Sequence, residues 1–310
     1  MLSIALMRWI RRLAVAWAAC AGAACGRAET PPPTFEAARV LVHVDRQCAL
    51  GPRVPGTAAR DSAAAYIARA AAACGATVSA QAFELDDPYG AGKLRLVNLV
   101  ASFAVQRKSR VMLAAHYDTR PIADQDNTDS LRALPVPGAV DAAASVGILL
   151  EIARLLGERM PERIGVDLVF FDGEDYGKPE DLQHYLLGSK HFAANLGGYR
   201  PECAILLDMV GGEGTRVTRE AYSAREAPGL LDDLFARAQA LDLDYFVDVP
   251  GGPVYDDHVP LLMAGIRAVD LFGYDYAHWH TTRDTPDKVD GVRVEQVGAL
   301  LRDFLYRYGR

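Results

Sequence analysis

Two apolar runs that end in polar residues decide the fold: VMLAAH at residues 111–116 and VDLVFFDGED at residues 166–175. Each run has the length of one strand and is apolar almost throughout, as is typical of a strand buried on both faces of a sheet. The polar residues follow where each predicted strand ends. Because ligands of open α/β sheets bind beyond the carboxyl ends of the strands, these two ends are candidate positions for chemistry.

Helical patterns lie between and after these runs. Residues 142–156 carry apolar side chains at helical spacing, and Gly157 follows as a helix stop signal. Further helices are predicted around 60–74 and over 230–240 and 292–308, and further strands over 77–83, 94–103 and 204–207. This alternation predicts an α/β fold, specifically a three-layer αβα sandwich with a mostly parallel or mixed central sheet.

The amino-terminal region differs in composition from the rest. Three arginines at positions 8, 11 and 12 precede a run of small apolar residues over 13–20, which is the pattern of a secretory signal peptide and is too short to span a membrane. We expect residues 1–25 to be a signal peptide, residues 26–34, with three consecutive prolines, to be a linker, and residues 35–310 to be the folded domain.

The same region carries a signal for lipid attachment. The sequence GAACG at residues 22–26 resembles a bacterial lipoprotein cleavage site, so Cys25 is a candidate for lipidation. The chain is therefore expected to be exported, either to the periplasm or to the cell envelope through a lipid anchor, and to meet the membrane only there. In an oxidising compartment Cys48 and Cys74 are candidates for a disulfide, and three unpaired thiols, Cys203 included, are the alternative.

Composition excludes several classes of protein. Of the 310 residues, 24% are charged and 50% belong to the hydrophobic class, which is the profile of a globular protein and argues against disorder, collagen and a coiled coil. Lys and Arg total 33 against 40 Asp and Glu, a net charge of -7. Because binding to a phosphate backbone needs a basic excess, we expect no nucleic-acid partner.

The predicted strand ends and the loops that follow them are rich in carboxylates and imidazoles. The candidates are His116, Asp118, Asp141, Glu174, Asp175, Asp208, Asp256 and His280. Carboxylates that converge in one crevice repel one another and lose hydration, so the pattern predicts a bound cation. Mixed imidazole and carboxylate ligands favour zinc with one coordination position left open.

Each candidate also has a purely structural interpretation. A single Asp at a strand end, such as Asp141 or Asp208, commonly caps the following helix. Trp279 is a candidate pocket wall, with ordinary core packing as the alternative. The acidic segment DQDNTD at residues 124–129 lacks the Gly and distal Glu of a calcium loop, and we interpret it as a solvated surface loop.

A set of ordered motifs carries a family resemblance. The motifs are AHYDTR at 115–120, PGAVD at 137–141, FDGED at 171–175, LGSKH at 187–191, LDM at 207–209, DDHVP at 256–260 and WHT at 279–281. They resemble those of the M28 zinc peptidase superfamily, and within it the chain is most similar to the glutaminyl-peptide cyclotransferases, the secretory glutaminyl cyclases, and their bacterial relatives. The resemblance implies a zinc aminopeptidase-like fold and a catalytic domain over residues 35–310.

The resemblance also implies a metal site. Asp141, Asp175 and His280 match the residues that hold the catalytic zinc. His116 and Asp208 match positions that hold a second zinc in the aminopeptidases, with Asp141 bridging the two ions. One zinc is usual in the cyclases, so the expected cofactor is one Zn²⁺ ion, with two as the alternative.

Four further residues take catalytic or supporting roles by resemblance. Glu174 matches the proton shuttle beside the metal, and Asp208 and Asp256 match a carboxylate network with it. Trp279 matches the apolar wall of the substrate pocket. Asp118 is expected to orient His116 and fix its tautomer.

Two departures from the family pattern bear on substrate preference. Asp175 stands at a position where animal cyclases carry Glu. The Asp side chain is shorter than that of Glu, so it must approach the metal more closely. The segment YGKP at residues 176–179 lacks the tryptophan that helps wall the animal pocket.

Three hypotheses for the function follow. The first is a zinc-dependent glutaminyl-peptide cyclotransferase that converts the amino-terminal Gln of peptides to pyroglutamate with release of ammonia. The second is an M28-type zinc aminopeptidase that hydrolyses amino-terminal residues from peptides. Both act on peptides or proteins with a free amino terminus. The third is a non-catalytic binding domain. The presence of Asp141, Glu174, Asp175, Asp208 and His280 together argues against it, because a domain without activity does not need all five.

Overall fold

The computed structural model of the protein describes residues 31–309. Residues 32–310 form one compact unit, and every element given below belongs to it. The predicted signal peptide, the Cys25 lipidation site and residues 26–30 of the predicted linker lie outside the described residues, so export stays a prediction. Among the described residues, no helix is both long enough and apolar enough to cross a membrane.

The strands of the described chain form one eight-stranded sheet. In chain order they are β1 (Thr77–Asp86), β2 (Lys93–Phe103), β3 (Arg110–His116), β4 (Gly165–Phe171), β5 (Cys203–Asp208), β6 (Arg216–Arg219), β7 (Phe246–Pro250) and β8 (Ala268–Tyr274). Across the sheet their order is β1-β2-β4-β3-β5-β8-β6-β7. Strands β4, β3, β5 and β8 run parallel to one another, whereas β1 and β2 pair antiparallel at one side and β6 pairs antiparallel with β8. The predicted mixed sheet is confirmed.

The helices of the described chain lie between and beside these strands. They are α1 (Ala37–Cys48), α2 (Ala58–Ala73), α3 (Asp129–Arg132), α4 (Ser145–Glu158), α5 (Leu187–Ala194), α6 (Ala221–Glu226), α7 (Pro228–Ala240), α8 (His258–Met263) and α9 (Gly291–Tyr306). Short irregular helical segments lie at Ala139–Ala144, Leu182–His184 and Pro286–Lys288.

Strand β3 shows how the sheet is covered on both faces. Val111 and Leu113 belong to one hydrophobic core, whereas Met112 and Ala114 belong to another. Successive side chains of a strand point to opposite faces, so an uninterrupted apolar run serves two cores at once. The first core includes residues of α1, α2, α4, α7 and α9, and the second includes residues of α5 and α8. The predicted three-layer αβα architecture is therefore confirmed.

Most predicted elements agree with the structure within a few residues, and the main difference lies before α4. The predicted helix over 142–156 begins instead at Ser145, because Asp141 and Ala142 have non-helical backbone angles. The elements that were not predicted are helices α1, α3, α5, α6 and α8 and strands β6, β7 and β8. All of these except α3 and α6 contribute buried apolar residues to the cores described above.

The cysteines of the described chain carry free thiols. Cys48 at the end of α1 lies beside the Arg53 side chain, whereas the backbone of Cys74 lies against Gly157 at the end of α4. The structure thus has the unpaired alternative and not the disulfide between Cys48 and Cys74. Burial raises the pKa of the Cys203 thiol to about 11, which keeps it protonated and unreactive near neutral pH.

The buried position of β3 predicts a large loss of stability when its apolar side chains are shortened. Leu113 is 0% exposed, so Leu113→Ala should lower the free energy of unfolding by about 2–5 kcal/mol through lost burial and the cavity left behind. Urea denaturation measures this loss. Leu134→Ala is the matched control, because Leu134 is 47% exposed and its truncation should cost about 0.5 kcal/mol or less. Equal losses for the two variants would contradict the assignment of β3 to the core.

Candidate metal centre

A cavity of about 320 Å³ brings together residues from the strand ends of the sheet and the loops around them. Seven residues predicted for the site line it: Asp141, Glu174, Asp175, Asp208, Asp256, Trp279 and His280. These residues are far apart in the sequence. They meet because β4 and β5 run in the same direction and their carboxyl ends open at the same edge of the sheet.

The three predicted zinc ligands lie at the cavity wall. Asp141, Asp175 and His280 each offer one ligand atom, and these atoms all lie within 4.8 Å of one another. The His280 Nε2 atom is 3.7 Å from Asp141 Oδ2 and 3.5 Å from Asp175 Oδ2. All three residues are buried. Two carboxylates and one imidazole nitrogen therefore face a common point.

This arrangement fits a zinc ion. Ligand atoms about 2.1 Å from a tetrahedral zinc lie about 3.4 Å from one another, close to the distances of 3.5 and 3.7 Å from His280 Nε2 to the two carboxylates. Three protein ligands beside an open cavity match the composition of a catalytic site, in which the fourth position is left for substrate or water. Aspartate and imidazole are also ligands that zinc accepts in such sites.

A second group of ligand atoms adjoins the first. His116, Asp141 and Asp208 also offer atoms within 4.8 Å of one another. The His116 Nε2 atom is 3.0 Å from Asp141 Oδ1 and 3.1 Å from Asp208 Oδ1. Asp141 thus presents one oxygen to His116 and the other to His280, the position expected of a bridging ligand. Although burial opposes protonation of His116, Asp118, Asp141 and Asp208 raise its pKa well above the usual 6.5.

Two buried carboxylates outside the ligand set hold the backbone that carries it. Asp118 accepts hydrogen bonds from the backbone N–H of Glu174 at 3.1 Å and of Asp175 at 3.2 Å. Asp284 accepts from the N–H of Asp141 at 3.2 Å and from that of Val140 at 2.9 Å. Asp118 also lies 3.6 Å from the Nδ1 atom of His116, so the residue expected to orient His116 contacts it and also positions the segment after β4.

The segment before α4 needs a glycine. Gly138 has a φ of +69°, and a Cβ atom there would lie 2.2 Å from the Thr119 side chain and 2.5 Å from the carbonyl oxygen of Asp141. A residue with a side chain would be both strained and too large at this position. Arg53 donates to the carbonyl of Gly138 at 2.5 Å. The close turn directs Asp141 toward the cavity, which is why the helix starts three residues later than its apolar pattern suggests.

Glu174 lies at the edge of the cavity with 12% of its side chain exposed. Burial raises the pKa of its carboxyl group well above 4.5, and the neighbouring Asp175, Asp256 and Asp257 raise it further, while His116 opposes the shift. Its Oε2 atom lies 3.9 Å from His116 Nδ1. A partly accessible carboxyl group in these surroundings has the properties of a proton donor and acceptor.

The inner wall of the cavity is a group of buried acids. Asp208 and Asp256 line it, and burial together with Asp208 raises the pKa of Asp256 to about 7. Behind it, Asp256, His258 and Asp270 form a third group with ligand atoms within 4.8 Å. His258 is 0% exposed and lies 3.2 Å from a Glu220 oxygen. His258 therefore lies in a buried polar layer behind the cavity wall, beside Asp256, Asp270 and Glu220.

Trp279 and the segment after Asp175 form the outer wall. The Trp279 ring stacks on that of His280 with 4.0 Å between centroids and is 44% exposed, so the alternative of ordinary core packing is wrong. Pro179 of the segment at residues 176–179 lines the cavity, together with Leu182 and Tyr185, which follow that segment. The wall here consists of two aliphatic side chains and one phenolic side chain.

The segment 124–129 differs from its predicted role. Asp124 lies 3.4 Å from His280 Nδ1 with 15% of its side chain exposed, and Asp126 is 3% exposed and accepts from the N–H of Thr282. The interpretation as a wholly solvated loop is wrong for these two residues, because the loop that carries His280 covers them. Asp284 was also missed. No sequence spacing indicates the role of Asp124, Asp126 or Asp284, because each contacts a residue that is distant in the sequence.

Comparison with known proteins gives a consistent family assignment. The sequence model of peptidase family M28 matches residues 98–305. Glutaminyl-peptide cyclotransferase of Bos taurus is 24% identical over 259 residues, an alignment that covers 71% of this chain and 68% of the bovine protein.

Two crystal structures extend the similarity to the fold. Glutaminyl cyclase of Bacteroides thetaiotaomicron, bound to N-acetylhistamine, is 34% identical with a TM-score of 0.86, covering 89% of this chain and 99% of that one. A Zn-dependent exopeptidase from Parabacteroides distasonis is 35% identical with a TM-score of 0.86, covering 90% of this chain and 100% of that one. Both types of enzyme therefore share the fold described above.

The contacts of Asp284 predict that its removal disturbs the site from behind. Asp284→Ala leaves the buried N–H groups of Val140 and Asp141 and the Tyr276 hydroxyl without their acceptor, which should lower the free energy of unfolding by about 2–4 kcal/mol. Urea denaturation tests this loss. Asp287→Ala is the control, because 69% of the Asp287 side chain is exposed. A stability of Asp284→Ala equal to that of the control would show that these bonds contribute little.

Proposed function

The chain belongs to peptidase family M28, and we propose that within this family it is a zinc-dependent glutaminyl-peptide cyclotransferase. It would convert the amino-terminal Gln of peptides or proteins to pyroglutamate and release ammonia. One observation carries the proposal: the three ligand residues, the Glu174 carboxyl group and the Trp279 ring line a single small cavity. The similarity to named glutaminyl cyclases supports the choice of reaction.

Asp141, Asp175 and His280 are the residues that would hold the zinc ion. When bound, zinc polarises a carbonyl oxygen and stabilises the negative charge that develops on it. The remaining requirements of the reaction are a proton carrier and a pocket that brings the α-amine of the substrate next to its own γ-carboxamide. The residues of the chain supply both.

Glu174 is the proposed proton carrier. The α-amine nitrogen of the substrate forms a bond to the γ-carboxamide carbon, and Glu174 accepts the proton that the amine loses. The carboxamide C–N bond then breaks, and Glu174 returns the proton to the departing nitrogen, which leaves as ammonia. One proton enters and leaves the carboxyl group, so the enzyme is unchanged after each turnover. Positioned transfer of this kind contributes roughly 10²–10⁴-fold to rates.

The surroundings of Glu174 suit this role. The bond from its backbone N–H to Asp118 fixes the segment that carries it. Asp208 and Asp256 line the same cavity, and we assign them to a carboxylate network that keeps Glu174 directed at the substrate. The partial exposure of Glu174 leaves its carboxyl group accessible to a bound peptide.

Trp279 is the proposed binding surface for the Gln side chain. Its ring is stacked on His280, so it offers a flat apolar face directly beside a ligand residue. Closure of a five-membered ring needs the amine and the carboxamide carbon close together and aligned, and a small pocket favours that conformation. The substrate class is therefore a peptide with a free amino-terminal Gln.

The aminopeptidase reaction is a second candidate, which the group formed by His116, Asp141 and Asp208 favours. This group offers a second set of ligand atoms, and a pair of metal ions can clamp both oxygens of a hydrolytic transition state. In that reaction water, and not the substrate amine, would attack the carbonyl carbon, and Glu174 would accept the proton that the water loses. The Zn-dependent exopeptidase among the structural neighbours supports this alternative.

Glu174→Gln separates the proton carrier from the metal site. Removing the carboxyl group while keeping its shape should lower turnover of a Gln-initiated peptide by about 10²–10⁴-fold and leave zinc binding intact. Mass spectrometry of the product measures turnover. Glu180→Gln is the matched control, because Glu180 is exposed and lies in the segment that follows Glu174 and Asp175. Near-normal turnover in Glu174→Gln would contradict the assigned role.

The same assay distinguishes the three hypotheses when a Gln-initiated and a Leu-initiated peptide are compared. Loss of one ammonia from the Gln peptide supports the cyclotransferase. Loss of the first residue from either peptide supports the aminopeptidase. If both peptides stay intact in the presence of zinc, the protein is a binding domain and the proposed function is wrong.

Metal removal gives a further prediction. A chelator should abolish activity, and added Zn²⁺ should restore it, because the ligand residues alone do not supply the polarising charge. One tightly bound ion per chain, measured by elemental analysis, is the expected content. Two tightly bound ions would favour the aminopeptidase, and full activity after chelation would contradict a metal-dependent reaction.

A further inference from the structure

Arg120 and Asp124, which are not among the three ligand residues, connect Asp175 with His280. Arg120 donates from Nη1 to Asp175 Oδ1 at 2.8 Å and from Nε to Asp124 Oδ1 at 2.5 Å. The same Asp124 oxygen lies 3.4 Å from His280 Nδ1. We propose that Arg120 and Asp124 act as one positioning bridge between Asp175 and His280, and that this bridge sets the affinity of the site for its metal. The inference rests on the metal site of the proposed function.

At Asp175 the bridge determines which oxygen is available. Arg120 occupies Oδ1, and Oδ2 is the oxygen that lies 3.5 Å from His280 Nε2. The short Asp side chain is thereby held so that it presents one oxygen to the ligand point. Arg120 is itself fixed, because Nη1 also donates to the carbonyl of Gly177 and the guanidinium lies 5.3 Å from the centre of the Tyr185 ring.

At His280 the bridge determines the tautomer. A carboxylate beside Nδ1 favours a proton on that nitrogen, which leaves the Nε2 lone pair free. Nε2 is the atom that faces Asp141 and Asp175. The backbone is held as well, because the N–H of Gln125 donates to the carbonyl of His280 at 3.2 Å. His280 has a φ of 52°, which is unusual for a residue with a side chain, so its conformation depends on such contacts.

The charge and shape of Arg120 both matter to the bridge. Arg120 is 1% exposed and lies between Asp124 and Asp175. Its planar guanidinium donates in fixed directions and can bond both carboxylates at once, whereas the ammonium of Lys is a point charge on a flexible stem. Arg120→Lys therefore keeps the charge and loses the geometry.

The two halves of the bridge are coupled because they share one oxygen atom. When the bond from Arg120 is lost, Asp124 is no longer held beside His280. When Asp124 loses its charge, Arg120 loses one of its two charged partners. Effects of residues in one network do not add, so a double variant should be less impaired than the two single variants together suggest.

Zinc affinity is the measurement that tests the bridge. Competition with a chromophoric chelator should give a zinc Kd that is weaker by about 10–100-fold in Arg120→Lys and in Asp124→Asn, the usual range for groups that orient metal ligands. The double variant should weaken binding by less than the product of the single effects. In the Co²⁺-substituted protein, the visible absorption spectrum of each variant should change, because the ligand geometry changes.

Arg110→Lys is the matched control. Arg110 makes a bidentate ion pair with the buried Asp167, away from the cavity, so its replacement should lower stability and leave both the zinc Kd and the cobalt spectrum unchanged. If Arg120→Lys does not fold, Asp124→Asn alone tests the proposal. Asn has nearly the same size and shape as Asp, so this substitution removes the charge without changing the packing.

The outcomes separate this inference from the proposed function. Zinc binding by both single variants as tight as in the parent, with the parent cobalt spectrum, would show that Arg120 and Asp124 are structural only. Weaker binding by Arg110→Lys to the same extent would also overturn the proposal. If the parent protein binds zinc no better than Asp141→Ala, the metal site itself is wrong, and the proposed function fails with it.

Discussion

The repulsion among buried carboxylates is the constraint on which the site depends. Asp141, Asp175 and Asp208 are gathered at one edge of the sheet, each largely removed from water. Burial and the neighbouring charges raise the pKa of Asp175 to about 6 and that of Asp208 above its usual value. Negative charges so placed need a cation or protons to coexist. A bound metal ion meets this need and is at the same time the group that the chemistry requires.

Polar contacts behind the ligand residues stabilise this group of buried carboxylates. Asp118 and Asp284 hold the backbone segments that carry the ligand residues, and Arg120 with Asp124 holds two of the ligand side chains. Apart from the bond between Arg120 and Asp124, these contacts join segments that are distant in the sequence. Contacts of this kind orient the ligand side chains, which is the usual condition for a tightly binding and reactive metal site.

Much of this protein follows from local sequence patterns. The runs at 111–116 and 166–175 predicted buried strands because apolar length is a property of the strand itself, and the acids after them predicted a site because strand ends meet in an α/β sheet. Helix α1 was missed, although it packs in the main core. Asp124 was assigned to solvent, since nothing in its own segment indicates that the loop carrying His280 covers it.

The sequence alone determined the fold class, the acidic character of the site and, through ordered motifs, the family. These depend on residue types and on spacing along the chain. Only the tertiary structure decided which oxygen of Asp141 faces which histidine, which residues support the ligands, and that the thiols of Cys48 and Cys74 remain unpaired. Such features depend on distances between segments that the chain brings together from far apart, and a linear pattern does not contain those distances.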